Sequence, residues 1–466
     1  MGGGSGKRLK VGEVTLAKQQ MRVVETVMER VRANAKITVY DGPGGTGKSV
    51  VAAAICGELT RAGFNPVPCT MVGKAAARLQ DKLDKAGLKL KTRTLSSLCE
   101  RVFMTDDGPR FTGKDSGLPD NSVLFVDEMS MVGARYLTTR LLPAVEGLPI
   151  VGCGDAFQIP PVMDKSSGLL ENTPLKLTQV HRQARESPIL ALASAMREDK
   201  VYFYTPDDED DHRLLHGSHV REFDSNPGVT FIPAIEWLPT LLSAYPTHRI
   251  PDIPVLVGTN EEVAAINDAV RRRYRLDTML PMPDEIIRCL RNNSAAGVYN
   301  GEHYRVERVV SMADDGESIV VELSGVAERV TLPLDPSHAR WSNVGDAVTW
   351  GWGYATTIHR SQGSEWDHVR LVVGPHTAAN STSQVGRRLL YTGITRAAKQ
   401  LDVYVVDYDY ARKVAKLRNR LRTRIRARLR RESEPPTPRS PTRNSPRKRT
   451  TRPKKQGRID LKDLLK

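Results

Sequence analysis

Cysteine is scarce in this 466-residue chain. Its five cysteines, Cys56, Cys69, Cys99, Cys153 and Cys289, form no C-x-x-C pair. An odd, scattered set argues against a disulfide framework and against a zinc site, and it fits reduced thiols in a cytosol-like compartment. Long apolar runs are missing as well. None approaches the ~18 residues a membrane span needs, so no membrane partner is expected. No signal-peptide pattern opens the chain. Position 6 is Gly6 rather than Ser or Thr, which removes a myristoylation signal. The opening Gly-Gly-Gly-Ser-Gly reads as a flexible leader. No repeat appears at solenoid periods.

Acidic residues are lacking in one region only. Residues 411–466 hold 22 Lys/Arg against 4 Asp/Glu, a surplus of +18, whereas the whole chain carries +15. Residues 1–410 therefore carry −3, and the high isoelectric point belongs to the tail. Within that tail Val414, Leu417, Leu421, Ile425 and Leu429 recur at three- and four-residue steps among arginines, which predicts a basic amphipathic helix over 411–431. Residues 432–466 read as a disordered basic tail, in which Thr437, Ser440 and Ser445 each precede Pro and Ile459–Lys466 reads as a short docking helix. The remaining length is too great for one ordinary core, so two to four domains are expected.

What is present centres on residues 41–49, Asp-Gly-Pro-Gly-Gly-Thr-Gly-Lys-Ser, which fit G-x-x-x-x-G-K-[ST] from Gly42 to Ser49. Ile37–Tyr40 reads as a buried strand before it, and Val50–Arg61 as a helix after it. Gly42, Gly44, Gly45 and Gly47 let successive N–H groups, Thr46 among them, curl round a phosphate. The helix N-terminus favours the same anion. Lys48 would neutralise the outer phosphates and Ser49 would hold magnesium. The expected ligand is ATP with magnesium.

Upstream, Val14–Val31 reads as a helix carrying Gln20, whose amide can pair with both edges of adenine. A second strand, Asn65–Val72, ends in Gly73-Lys74, and Thr94 opens a hydroxyl-rich turn. Each can present groups to a further phosphate, or be an ordinary strand-to-helix connection. Residues 104–122 are rich in Gly, Asp and Pro and read as a loop or small hairpin flanked by Phe103 and Phe111, which can stack on a base or anchor a core. Ser122–Val126 is a continuous apolar run, the mark of a doubly buried strand, and it delivers Asp127 and Glu128 at its C-terminal end. There an Asp can hold magnesium and a Glu can activate water. Leu148–Cys153 is the next strand, followed by Gln158, placed to sense a γ-phosphate. Arg182 follows as a candidate γ-phosphate arginine, with a surface ion pair as the plain alternative.

The acid run Asp207–Asp211 reads as a solvated loop. A second α/β unit begins near 253, with Asn260 in its first turn. Short alternating strands over 297–349 predict a small β-barrel or meander. Thr357, His359, Gly363 and Glu365 then lie in a motif-like stretch, Val369–Val373 is another buried strand, Arg396 follows, and Leu401–Val406 is the last strand.

In this order the motifs resemble those of the superfamily-one helicases, nearest the RecD/Dda-like group of 5′-to-3′ DNA helicases. The resemblance rests on Gln20, Gly42–Ser49, Asp127-Glu128 with Met129–Val132, Gly154-Asp155-Ala156-Phe157-Gln158-Ile159-Pro160-Pro161, Arg182-Gln183, Thr357–Gly363 and Tyr391–Arg396. It covers about 13–407. Two departures stand out: Met71-Val72-Gly73-Lys74 replaces the family's Pro-Thr-Gly-Lys, and Ser96 stands where a His is usual.

The resemblance implies an α/β chain with two RecA-like parallel-sheet domains, 13–175 and 176–410, a pin insertion near 104–122 and a small β-barrel insertion near 297–349. It implies catalytic Lys48, Glu128, Gln158, Arg182 and Arg396, and nucleotide contacts that include Thr46, Gly363 and Glu365. Single-stranded and forked DNA would meet Lys74, Thr94, Asn260, Thr357, His359, Phe103 and Phe111. A replication or repair protein would dock through the tail. A viral-type RNA helicase, a non-hydrolysing nucleotide-switched scaffold and the motor of a helicase-nuclease complex remain rival readings. A cytoplasmic location is expected, with the nucleus open through the basic tail.

Overall fold

The computed structural model describes residues 10–11, 14–105, 108–113, 115–161, 163–180, 186–201, 203, 228–234, 237–246, 250–276, 280–290, 293, 296–313, 316–334, 348–374, 377 and 380–406. They all fall in one compact unit. The acid run, the basic helix and the tail lie outside the described residues, as does Arg182.

The first lobe is built on five parallel strands, β1 (Ile37–Asp41), β2 (Asn65–Thr70), β3 (Arg93–Thr94), β4 (Ser122–Val126) and β5 (Ile150–Gly154), in the spatial order β1-β5-β4-β2-β3. Every residue of β4 and β5 is buried, as expected of strands covered on both faces. Pro66 and Pro68 are tolerated inside β2 because β3 pairs only with Cys69 and Thr70. The side of β2 lacking two N–H groups therefore faces no ladder over that stretch.

Helices α1 (Lys18–Arg32) and α2 (Lys48–Arg61) cover one face of the sheet, and α3 (Gly73–Lys85) packs against α2 and β2. In α2 the run Val51–Gly57 is buried throughout, which is why its sequence is apolar all round. One core cluster joins Val23, Val27, Ile55, Leu59, Phe125 and Cys153; a second, on the other face, joins Val39, Leu98, Leu124, Val126 and Leu141. The expected helix from Val14 starts later, at Lys18. Val14-Thr15 instead pairs antiparallel with Lys10-Val11. Ala17 is extended and donates its N–H to Gln20 Oε1 at 3.0 Å, which caps the helix there.

The second lobe repeats the plan. Its parallel strands β6 (Val229–Ala234), β7 (Val255–Val257), β8 (Ala355–Thr357), β9 (Trp366–Val373) and β10 (Ala397–Val406) lie in the order β6-β10-β9-β7-β8. Helices α4 (Pro188–Arg197), α5 (Asn260–Arg273) and α6 (Gln384–Ile394) pack on them. The last strand begins four residues before the expected Leu401, because Ala397 already pairs with Trp366.

Between β7 and β8 the chain forms a five-stranded antiparallel sheet ordered Val330–Pro333, Ser318–Leu323, His303–Met312, Ile286–Cys289, Trp350–Trp352. It has its own core, including Val306, Val321, Leu332 and Trp350. The sheet reaches further than the expected 297–349. Ile286–Cys289 is fully buried over four residues, so no alternation marks it as a strand; pairing on both sides defines it. In the first lobe Glu100–Thr105 and Gly108–Gly113 form a six-pair hairpin. It starts ahead of residue 104, and its first half carries none of the Gly/Pro signals that mark the turn.

Candidate nucleotide site and lobe interface

Register places the chemistry. Asp41 pairs with Gly154, and Val126 with Gly152, so the ends of β1, β4 and β5 come out side by side. This is where an open parallel sheet presents its ligand crevice. A cleft of about 1140 Å³ lies there. It is lined from the first lobe by the phosphate loop, Gln20, Asp127, Glu128 and Gln158, and from the second by Glu365 and Arg396.

The loop is preformed. Gly47 caps α2 at φ 79°, a conformation a side chain disfavours, and a Cβ on Gly42 would stand 2.8 Å from Thr46 Oγ1. Thr46 is fully buried and ties its hydroxyl to Pro43 O at 2.8 Å. Gln20 Nε2 donates to Thr46 O at 3.2 Å, so the glutamine braces the loop from behind. Lys48 folds back onto the loop, with Nζ 2.5 Å from Gly42 O and 3.2 Å from Pro43 O. Ser49 Oγ accepts from Lys82 Nζ of α3 at 2.7 Å.

Asp127 Oδ1 accepts from the Glu128 N–H at 2.9 Å and from Cys153 Sγ at 3.1 Å. Glu128 itself sits at φ 54°, the left-handed region, in which a non-glycine residue stores strain. Its Oε2 and Gln158 Oε1 are buried polar atoms without a partner. Such orphans at the wall of a cleft are costly unless a ligand completes them. Among the described residues no group of three or more His, Cys, Asp or Glu could hold a metal ion alone. A hydroxyl and a carboxylate suit magnesium, which usually takes one or two protein oxygens and completes its shell with phosphate and water.

Arg396 reaches the cleft from the second lobe. It is 4% exposed, donates Nε to Thr392 O and Nη1 to Ser364 O, each at 3.0 Å, and Nη2 to Thr395 Oγ1 at 3.3 Å. Burial lowers its pKa, and the nearby Glu128 charge acts in the opposite sense. The lobes are pinned at several points. Ile159 N–H donates to Thr392 Oγ1 at 3.1 Å, Gln362 Nε2 to Ile159 O at 2.9 Å, and Arg78 Nη1 to Gly363 O at 2.9 Å. Arg78 also pairs with Glu365. Gly363 lies at φ 74°, where a Cβ would press on Val72 and Ala75.

The expected nucleic-acid residues are spread more widely. Lys74 lies in the cleft itself, its ammonium 4.2 Å over the Trp366 ring; burial pulls its pKa down to about 8. Thr94 caps a short helix by accepting from Ser97 N–H at 3.2 Å. Asn260 is exposed in the first turn of α5, and Thr357 ends β8, accepting from Arg360 N–H at 3.3 Å. His359 lines a second cavity of about 800 Å³ with Ser96, Glu100, Arg135, Arg140 and Gln362, and burial lowers its pKa. Phe103 and Phe111 stand in the two hairpin strands, Phe103 opposite Arg110 and Phe111 opposite Val102.

Sequence reasoning missed Arg78 and Lys82, although their four-residue steps from Lys74 were a visible signal. It also missed Arg197, whose Nη2 is 3.7 Å from Asp41 Oδ2 and whose Nη1 is 3.5 Å from Asp155 Oδ1. No local pattern marks that contact.

Two parallel-sheet lobes flanking a phosphate-loop cleft, with an arginine delivered from the second lobe, define a tandem RecA-like nucleotide-binding protein. Residues 15–219 match the family model of an AAA domain, and residues 353–406 that of a UvrD-like helicase C-terminal domain. The chain is 27% identical over 383 residues to the ATP-dependent RecD2 DNA helicase of Deinococcus radiodurans, covering 80% of this chain and 47% of that protein. It is 27% identical over 410 residues to the RecBCD enzyme subunit RecD of Mycobacterium tuberculosis, covering 79% of this chain and 66% of that one. The chain thus spans about half to two thirds of the length of these relatives. The crystal structure of Bacteroides Pif1 bound to single-stranded DNA overlays with a TM-score of 0.48 at 16% identity, covering 86% of this chain and 94% of that one. Over about four fifths of its length the chain is thus similar to RecD-type helicases.

Proposed function

We propose that this chain is an ATP-driven DNA helicase that moves 5′ to 3′ along single-stranded DNA and separates forked duplexes. The observation carrying the reading is that Lys48, Ser49, Asp127, Glu128 and Gln158 from one lobe and Arg396 from the other line a single cleft. The likeness to the Deinococcus DNA helicase supports the substrate class, and polarity rests on the family resemblance.

In this reading Lys48 leaves the Gly42 and Pro43 carbonyls for the outer phosphates of ATP. Ser49 and Asp127 hold magnesium, which when bound neutralises charge on the phosphate oxygens. The unpartnered Oε2 of Glu128 orients and deprotonates the attacking water, and Gln158 senses the γ-phosphate. Arg396 stabilises the charge that develops during transfer. Arg182 is assigned the same duty. Gln20, Gly363 and Glu365 serve the nucleotide side of the cleft.

Because Arg78, Gln362 and Thr392 join the lobes beside this cleft, loss of the γ-phosphate loosens one lobe from the other, and alternating grip becomes stepping. Lys74, Thr94, Asn260, Thr357 and His359 are assigned to the DNA path, and the hairpin bearing Phe103 and Phe111 to strand separation. Motor domains of 13–175 and 176–410 follow. Among the described residues no helix is long and apolar enough to cross a membrane, and the buried cysteines, none of them in a disulfide, fit a reducing compartment.

The test is strand separation with ATP and magnesium on duplexes carrying either a 5′ or a 3′ single-stranded tail, with RNA-tailed duplexes in parallel. Unwinding of the 5′-tailed DNA supports the reading. Preference for the 3′ tail overturns the polarity, and preference for RNA overturns the substrate.

A further inference from the structure

Helix α3 carries three cations four residues apart, Lys74, Arg78 and Lys82, which sets them on one face. All three line the nucleotide cleft. Two are committed to the second lobe: Lys74 stacks over Trp366, and Arg78 holds Gly363 O and Glu365. Lys82 turns instead to the phosphate loop, where its Nζ donates to Ser49 Oγ at 2.7 Å. Asp81 beside it pairs with Lys85. Lys82 belongs to none of the motifs that carry the family resemblance, yet it occupies the hydroxyl on which the reading of the site puts magnesium.

We propose that Lys82 is a built-in stand-in for the divalent cation: in the metal-free cleft its ammonium holds the Ser49 hydroxyl, and magnesium loads by displacing it. The inference rests on the nucleotide-site reading above. An ammonium and a divalent ion cannot share one hydroxyl oxygen comfortably, because like charges that close repel even at the effective dielectric of a surface cleft. The lysine stem is long and half-buried, so the head can swing clear without moving α3. Two consequences follow. Metal-free nucleotide keeps a cation near its phosphates and so retains affinity. Magnesium must compete with a tethered charge, so the chain needs more of it than the serine and aspartate alone would require.

The test uses the full chain and a fluorescent ADP analogue, with affinity read by anisotropy in EDTA and across a magnesium titration, for the unaltered chain, Lys82→Gln and Lys82→Arg. Losing a charged hydrogen-bond donor should weaken binding in EDTA by roughly tenfold in Lys82→Gln. The magnesium concentration at half-effect should move down by a comparable factor. Lys82→Arg keeps the charge and should hold the metal-free affinity near that of the unaltered chain, which separates charge from folding. Unchanged EDTA affinity and magnesium midpoint in Lys82→Gln overturn the proposal. So does an equal loss of affinity with and without magnesium. If the unaltered chain binds the analogue in neither condition, the nucleotide-site reading itself falls, and this inference with it.

Discussion

The Tyr391 hydroxyl donates to the Asp155 carboxylate, and the two residues come from opposite lobes. The same oxygen accepts from the Gly44 N–H of the phosphate loop at 3.5 Å. Edge-to-face packing on Phe157, with ring centroids 5.2 Å apart and planes at 89°, holds the ring in place. Tyr391→Phe keeps that packing and removes the cross-lobe bond. Leaving a buried carboxylate short of a donor costs about 1–3 kcal/mol, so the variant should unfold at lower denaturant concentration with its secondary structure intact. A midpoint equal to that of the unaltered chain would show that the bond contributes nothing.

Glu128→Gln preserves shape and removes the proposed base. Turnover of ATP should fall by about 10²–10⁴-fold, while nucleotide affinity stays within a few-fold. Single-turnover hydrolysis beside an equilibrium binding curve checks both halves. Full turnover would remove Glu128 from the water-activating role.

Arg396→Lys keeps a positive charge but replaces the planar fork that spans Thr392 O and Ser364 O with a single nitrogen. An arginine finger is worth about 10³-fold or more, so the rate of hydrolysis should drop by that order. Unaltered kinetics would reduce Arg396 to a structural arginine of the second lobe.

Lys74 gives a pH signature. Its pKa is about 8 in the folded chain, lowered first by burial, while Glu302 raises it. The unfolded value is higher, so between these two pKa values the unfolded chain binds more protons. Stability from this group therefore rises as pH climbs from about 8 toward the ordinary lysine value. Lys74→Met should flatten that rise in denaturation curves taken across the window. A slope unchanged by the substitution would place the titration elsewhere.

The +18 tail should act as an electrostatic tether, because the body is close to neutral. Removing 432–466, which holds 11 Lys/Arg and 4 Asp/Glu and so +7 of that surplus, should weaken binding to single-stranded DNA and flatten its salt dependence by about 0.7 in slope per lost phosphate contact. Turnover at saturating DNA should hold. If affinity and slope both stay put, the tail serves a protein partner or an address, and Ile459–Lys466 is where to look.

The phosphate loop was legible because most of its demands are local: Gly45 and Gly47 take left-handed φ, and a Cβ on Gly42 would press on Thr46 four residues on. The strands delivering Asp127 and Gln158 were legible because burial on both faces leaves an unbroken apolar run. The spacing of Lys82 was visible but its contact was not, since its partner Ser49 lies 33 positions back on another helix. The Tyr391–Asp155 bond spans 236 positions, a separation at which no spacing rule operates. Lys74 stood beside Gly73 in a phosphate-contact pattern, but the Trp366 ring beneath it belongs to a strand far along the chain. Ile286–Cys289 escaped notice as a strand because four buried residues show no period.

The five cysteines are all buried, and none is in a disulfide. Burial pushes the Cys56 thiol up to about 12 and raises Cys69 and Cys153 above the ordinary value. The thiolate is the reactive form, so maleimide dyes at neutral pH should pass the natural thiols by. Met163 of the first lobe is 92% exposed and Val385 of the second 70%. A Met163→Cys, Val385→Cys chain would take a donor and an acceptor dye at these two points with its own cysteines left in place. The distance between the lobes then becomes a fluorescence signal, followed one molecule at a time as nucleotide comes and goes.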